Sequence, residues 1–393
     1  MTGSQESGAS HTGEDMKRDL IMVSGYYGFA NLGDEAILEE LIEELATLVD
    51  RDRIVVLSNN PESTRARFSV TSVNRWRLAE IVPLLGRTRL LVSGGGGLFQ
   101  DTVSIKSVVY YAGLIFLARL RGARALVYAQ GLGPLRGALA RKLTAMAISR
   151  CAAVTVRDPS SQTLLESWGI PSVLSADPVW RLKTTPLPAE MAAALDDMRR
   201  LHSEGLFVGL SLRSSSGFGA AEAGKMADGL LESLPVETIL LPLVLQENQD
   251  RDLLALVSNR WTEAGRKTLE FESMVFARLL PSQWLEFIGS LDLVVGMRLH
   301  SLIMALSRGV PVVGLSYDPK VEHVMREFEQ PFLNLANGRD VESEVAGLPM
   351  LSELVIKAIE GRQELSGIAR GRANAACELA CQNFTILDKI LSI

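Results

Sequence analysis

Short apolar runs, each ending in a glycine-bearing or charged turn and followed by helical spacing, recur along the whole chain. Leu20–Ser24, LIMVS, is the first and suits a strand buried on both faces of a parallel sheet. After a glycine-rich turn, Ile37, Leu38, Leu41, Ile42, Leu45 and Leu48 recur at the spacing of one helix face, and Arg53–Leu57, RIVVL, is a second strand. Strand, turn, helix and strand make a βαβ unit. The pattern repeats through the strands Arg89–Ser93, Ala125–Tyr128, Ala153–Val156 and Ser172–Leu174, with helices from Lys106, over Leu135–Ser149 and over Ser160–Trp168.

Two prolines between Lys183 and Pro188 mark a connection, and Met191–His202 has the spacing of a helix entering a second unit. There the strands are Leu206–Leu212, Glu237–Leu241, Leu291–Val295 and Val310–Leu315, with helices between them, and Arg326–Pro349 reads as irregular. The resulting division is a tail over residues 1–19, a first lobe over 20–182, a linker and entry helix over 183–205, a second lobe over 206–350 and helices over 351–393. The fold class is α/β, with two doubly wound lobes. In such sheets ligands bind beyond the carboxyl ends of the strands.

The length of 393 residues and an apolar content of 47% supply two cores. A net charge of −6 without a long basic run argues against a nucleic-acid partner, while a locally positive cleft remains compatible with it. Three cysteines, Cys151, Cys377 and Cys381, suit a reducing compartment; Cys377 and Cys381 read as small buried hydrophobes, with no metal-ligand spacing around them. Met1–Asp19 is rich in Gly, Ser and Thr, lacks the apolar core of a secretory signal and reads as disordered. Val108–Ala118 is too short to span a bilayer and is read as a buried helix, with a membrane-resting helix as the alternative.

Chemistry-bearing residues collect at the predicted strand ends. The turn Gly25–Gly33 leads into Asp34 and Glu35. Its glycine spacing is wrong for a dinucleotide fingerprint, so an acid pair facing a sugar hydroxyl competes with simple helix capping by Asp34. Four successive glycines, Gly94–Gly97, imply a close approach by a ligand, by the other lobe, or by a crossing helix. Gln130 and Arg157 end the next two strands; Arg157 can grip a carboxylate or phosphate, or pair structurally with Asp158 or Asp177. In the second lobe Arg213–Ser216 and Gln246–Asp250 are polar loops. Gly296-Met-Arg298-Leu-His300-Ser301 is the sharpest feature, with an anion-binding Arg298 beside an acid or base, His300. Lys320 ends the next strand and can neutralise a phosphate.

The segments GYYGFANLGDEAIL, SGGGGLFQD, AQGLGPL, VRD and GMRLHSLIMALSRGVPVVGLSYDPKV together resemble the polysaccharide pyruvyl transferase family, in order over Leu20–Val324, in the branch that modifies wall polysaccharide for S-layer anchoring. The resemblance implies two Rossmann-like lobes facing across a cleft, similar to the GT-B glycosyltransferases. It implies transfer of pyruvate from phosphoenolpyruvate to a sugar as a cyclic ketal, with release of phosphate and no further cofactor or metal. Arg157, Arg298, His300 and Lys320 would hold phosphoenolpyruvate, and Asp34, Glu35 and His300 would serve the reaction. Tyr27, Asn31, Gly95, Gly96, Gln130 and Asn248 are weaker candidates for the sugar side. The acceptor implied is a polysaccharide or its lipid-linked precursor, which places the protein in the cytoplasm or against the inner face of the membrane. A glycosyltransferase using a nucleotide sugar is the competing reading, with Asp318 or Glu322 as ribose-holding acids, and a non-enzymatic carbohydrate-binding protein is a third.

Overall fold

The structure is a computed structural model that describes residues 18–102, 104–215, 217–269, 278–335 and 348–392. Most of the tail expected to be disordered, and Ser216 of the Arg213 loop, lie outside the described residues, as does much of the stretch read as irregular before Pro349.

The first sheet has seven parallel strands in the order β3-β2-β1-β4-β5-β6-β7: β1 Leu20–Ser24, β2 Ile54–Ser58, β3 Thr71–Asn74, β4 Thr88–Ser93, β5 Arg124–Gln130, β6 Ala153–Val156 and β7 Val173–Leu174. The second has six, β10-β9-β8-β11-β12-β13: β8 Phe207–Ser211, β9 Ile239–Pro242, β10 Lys267–Thr268, β11 Leu293–Gly296, β12 Val312–Ser316 and β13 Phe332–Asn334. Strand β1 pairs with β2 at Ile21↔Ile54 and with β4 at Val23↔Val92; β8 pairs with β11 at Val208↔Leu293. Both sheets are doubly wound, and both are covered on each face by helices, as their unbroken apolar strands require.

Three edge strands escape the apolar pattern. β3 (TSVN) and β10 (KT) are polar, and β13 (FLN) falls inside the stretch read as irregular.

The last helix, Arg362–Ser392, does not stay with the second lobe. Leu387, Ile390 and Leu391 join Ile21, Leu38 and Leu41 in a core of the first lobe. Asn383 donates to the Ala176 carbonyl at 3.0 Å and accepts from Ser175 Oγ at 2.7 Å, and Arg89 donates to the Leu391 carbonyl at 2.6 Å. Along it Cys381 is exposed and Cys377 half-buried, so neither is the core hydrophobe expected from the sequence.

The lobes also touch directly. Leu32 N–H donates to the Leu245 carbonyl at 3.0 Å. Ser282 donates its backbone N–H and its hydroxyl to Glu39, at 3.0 and 2.6 Å. Arg67 donates to the Leu279 carbonyl at 2.7 Å. These contacts bring the carboxyl ends of β1, β4, β5 and β6 against those of β11 and β12.

Candidate active site at the lobe junction

The turn after β1 is built around its helix, α1 (Leu32–Ala46). Asn31 is the N-cap, accepting from Gly33 N–H at 3.2 Å, so the cap expected of Asp34 belongs to Asn31 instead. That frees Asp34, in the first turn, to face the junction. Glu35 turns the other way and accepts from Gly28 N–H at 2.8 Å. Gly28 has φ +76°, and a Cβ there would lie 2.1 Å from Ser58 Oγ, so only glycine fits. Glu35 is therefore a brace for the turn. Burial raises its pKa, opposed by Arg67 and by the Gly28 amide.

Asp34 faces His300 and Arg157 at the junction. Its carboxyl is pushed up to about 6, chiefly by burial, with His300 and Arg157 opposing and Glu35 and Asp177 adding to the rise. The His300 ring rests on the backbone of Gly33, where a Cβ would lie 2.0 Å from Nδ1. Thus an imidazole from the second lobe sits on the first turn of a first-lobe helix.

Around this pair stand three further charged groups. His300 Nε2 lies 3.5 Å from Asp177 Oδ2. Arg157 donates to the same Asp177 oxygen, and Asp177 also accepts from Val179 N–H at 3.1 Å. Burial alone would raise the Asp177 carboxyl, but Arg157, His300 and the Val179 amide together hold it well below the usual carboxylate range. Lys320 Nζ lies 3.4 Å from where a Cβ on Gly97 would be. Its pKa is lowered by burial and by the neighbouring Arg157, with Asp318 and Asp158 opposing. Arg157 and Lys320 from opposite lobes are thus neighbours, and Arg157 makes the structural pairing with Asp177 that the sequence offered as its alternative.

Arg298 reaches the junction already paired. It donates through Nε at 3.1 Å and through Nη2 to Asp250 Oδ1, and through Nη2 to Gln249 Oε1 at 3.2 Å. Asp250 is in turn fixed by the Leu245 and Gln246 amides, at 3.2 and 2.9 Å. The stretch Gln246–Asp250, read from the sequence as a polar loop, is the N-cap and first turn of the helix Glu247–Glu263 and the seat of this arginine. Burial raises the phenol of Tyr26, as does Asp34, whereas Arg75 and Arg298 lower it, which puts Tyr26 within the field of all three.

Several residues expected on the sugar side belong to the scaffold. Tyr27 is fully buried, filling the space over Gly25 and Gly94. Gln130 is also fully buried and donates its amide to the carbonyls of Ser93, at 3.4 Å, and Gly94. Asn31 is occupied as the cap. Gly95 and Gly96 make room for α1: a Cβ would fall 2.9 Å from Ile37 Cγ2 at Gly95 and 2.9 Å from Asp34 Oδ1 at Gly96. The side chain of Asn248 lies outside the described residues.

Sequence reasoning missed Arg75. It follows β3, donates to the Gly25 carbonyl at 2.8 Å and to Tyr111 Oη at 3.1 Å, and lies 4.4 Å from the centre of the Tyr110 ring. Phe29 and Trp76 complete its aromatic surround, and Phe29 stacks on Tyr26 at 4.1 Å. The signal was a lone cation after an unrecognised strand, with its aromatic partners Phe29, Trp76, Tyr110 and Tyr111 on three separate segments. The acids that a nucleotide-sugar enzyme would use on ribose are engaged. Asp318 caps the helix Pro319–Glu327 through Lys320 N–H at 2.9 Å, and Glu322 accepts from Arg326 and Asn334, each at 2.9 Å.

Two facing Rossmann-like lobes, with catalytic-type side chains from both meeting at the junction, define the class: a two-lobed GT-B-like enzyme. The chain matches the model of the polysaccharide pyruvyl transferase family over residues 31–319 and belongs to that family of transferases. No curated relative matches the sequence. Among solved structures, HepE of Anabaena in complex with UDP is similar over 95% of this chain and 99% of its own, at 17% identity and a TM-score of 0.59. The UDP-GlcNAc 2-epimerase of Neisseria meningitidis bound to UDP-GlcNAc is similar over 95% and 100%, at 12% identity and a TM-score of 0.60. At these identities the likeness establishes the two-lobed fold.

Proposed function

We propose that the protein transfers pyruvate from phosphoenolpyruvate to two hydroxyls of one sugar, forming a cyclic ketal and releasing phosphate. The observation that carries this reading is the meeting of Asp34 and His300 across the lobes beside Arg157 and Lys320. The reaction needs one group to give a proton, one to take a proton, and cations for a doubly charged anion. Arg157 and Lys320 hold the phosphate, and Arg298, kept in place by Asp250, faces the carboxylate.

His300 gives a proton to the methylene carbon, which becomes a methyl group and leaves positive charge on the neighbouring carbon. One sugar hydroxyl attacks that carbon while Asp34 takes its proton. The bond to phosphate then breaks, and the second hydroxyl closes the ring, its proton leaving with the phosphate. Asp34 then returns its proton to His300, so over the full turnover the two hydroxyl protons account for the new methyl hydrogen and the protonated phosphate. A carboxyl held at about 6 is suited to take a proton near neutrality.

The acceptor is a wall polysaccharide or its lipid-linked precursor, and the exposed Trp76 beside the buried Arg75 offers a flat apolar surface of the kind sugars stack on. The experiment is to incubate the protein with phosphoenolpyruvate and amino-sugar acceptors and follow free phosphate. Acceptor-dependent phosphate release is expected; turnover of a nucleotide sugar with none from phosphoenolpyruvate would replace this reading with glycosyl transfer.

A further inference from the structure

We propose that the outer face of the helices Lys106–Leu120 and Ala138–Ile148 docks on an anionic lipid bilayer. Between Asp101 and Asp158 the chain has nine Lys and Arg residues and no Asp or Glu, in a protein of net charge −6. Arg157 is committed to the junction. Arg119, Arg121, Arg136, Arg141, Lys142 and Arg150 are all exposed.

Both helices pack on the same side of the first sheet, through Ala112, Ile115 and Ala118 on one and Ala140 and Ala147 on the other. Arg150 lies 5.5 Å from the centre of the Phe116 ring and ties them side by side. Their opposite sides face water, and there the apolar residues are unusually bare: Leu120 is 81% exposed, Leu139 60%, Val109 51% and Met146 38%. On the flanking helices the carboxylates are few. Glu80 is engaged by Arg77 at 2.8 Å, and Glu166 stands on the helix Pro159–Ser167.

Cations interleaved with bare leucines decide the class of partner. A protein interface concentrates its apolar residues and depletes charge at its centre. A nucleic acid would use the cations but leaves Leu120 and Leu139 without a role. A bilayer with anionic headgroups uses both: the charges meet the headgroups while the leucines enter the boundary beneath them. Among the described residues no helix is long and apolar enough to cross a membrane, so the contact is one of lying on the surface. In a βαβ unit the helix starts at the carboxyl end of the preceding strand, so Lys106 and Ala138 lie toward the junction. A docked bilayer would therefore run toward the site, the position from which a membrane-held substrate could be presented.

The test is flotation of the full chain with vesicles of phosphatidylcholine containing about 30% phosphatidylglycerol, and with phosphatidylcholine alone. Binding to the anionic vesicles only, and its loss at about 1 M salt, are expected. Reversing charge in Arg119→Glu/Arg121→Glu/Lys142→Glu should lower the partition coefficient at least about tenfold. Leu120→Ser/Leu139→Ser, which keeps every charge, should lower it about threefold or more at low salt. All five positions are exposed, so both variants should melt with the wild type. No flotation of the wild-type chain, or equal flotation of wild type and both variants, overturns the proposal. So does binding to an oligonucleotide, or self-association, that the charge reversal abolishes while anionic vesicles never bind.

Discussion

The turns after β4 and β11 occupy the same place in the two lobes, each beside the first strand of its sheet, yet they do opposite things. Gly94–Gly97 carries no side chains and is filled by those of others: Tyr27 over Gly94, Ile37 against Gly95, Asp34 against Gly96 and Lys320 against Gly97. Gly296–Ser301 supplies its own, with Arg298 paired to Asp250 and His300 laid on Gly33. The first turn makes room, filled from its own lobe and by Lys320 of the other, whereas the second turn supplies side chains. Glycines at a strand end thus need not be a cradle for a ligand. Here their freedom admits protein groups instead, Asp34 and Lys320 among them.

The sharpest way to break this division is to remove the donor. His300→Ala should lower kcat by about 10²–10⁴-fold while the melting temperature stays near that of wild type, because the group lost is the one that moves a proton. A wild-type rate would show that the second-lobe turn is not the donor.

Filling the receptive turn comes next. Gly96 has φ +93°, and a Cβ would lie 2.9 Å from Asp34 Oδ1. Gly96→Ala should displace Asp34 and lower kcat roughly tenfold to a hundredfold, and the backbone strain should cost about 1 kcal/mol of stability or more, read by denaturant unfolding. Unchanged kinetics would mean that Asp34 need not sit where it does.

Removing the support beneath Arg298 acts on stability. Asp250→Ala strands a buried guanidinium and should destabilise the fold by about 3 kcal/mol, and it should raise KM for phosphoenolpyruvate more than it lowers kcat. A loss confined to kcat would place Arg298 at the reacting atoms instead.

A stability change of the opposite sign concerns Asp34. A folded carboxyl held at about 6, above its ordinary 3.8, binds its proton more tightly folded than unfolded. Its favourable contribution is complete below the unfolded value and is lost as pH rises through about 6. Asp34→Asn should therefore gain roughly 1–3 kcal/mol at pH 8 while abolishing turnover. In the wild type, kcat/KM should fall as the pH drops below about 6, where Asp34 takes up its proton. A stability loss in Asp34→Asn at pH 8 would contradict the cost assigned to that buried charge.

The doubly wound architecture was legible because strands covered on both faces must be apolar from end to end. LIMVS, RLLVS and VVGLS announce themselves for that reason. β3, β10 and β13 lie at sheet edges, need less apolar cover and left no such trace. Asp34, Arg157, His300 and Lys320 come together because a doubly wound sheet brings every strand end to one side. What each does there depends on neighbours far away in sequence. Glu35 was paired with Asp34 by adjacency, yet helix geometry turns successive residues about 100° apart and sends it to Gly28. The carboxylate under Arg298, the burial of Tyr27 and the setting of Arg75 are tertiary facts of the same kind.

The central claim is that Asp34 and His300, meeting across the lobes, move pyruvate and not a glycosyl group. Mass analysis of an amino-sugar acceptor incubated with phosphoenolpyruvate and the protein tests it most directly. The account predicts a sugar heavier by one pyruvate less one water, formed in step with free phosphate and absent with His300→Ala. An unmodified acceptor, with a nucleoside diphosphate released from a nucleotide sugar instead, would contradict it.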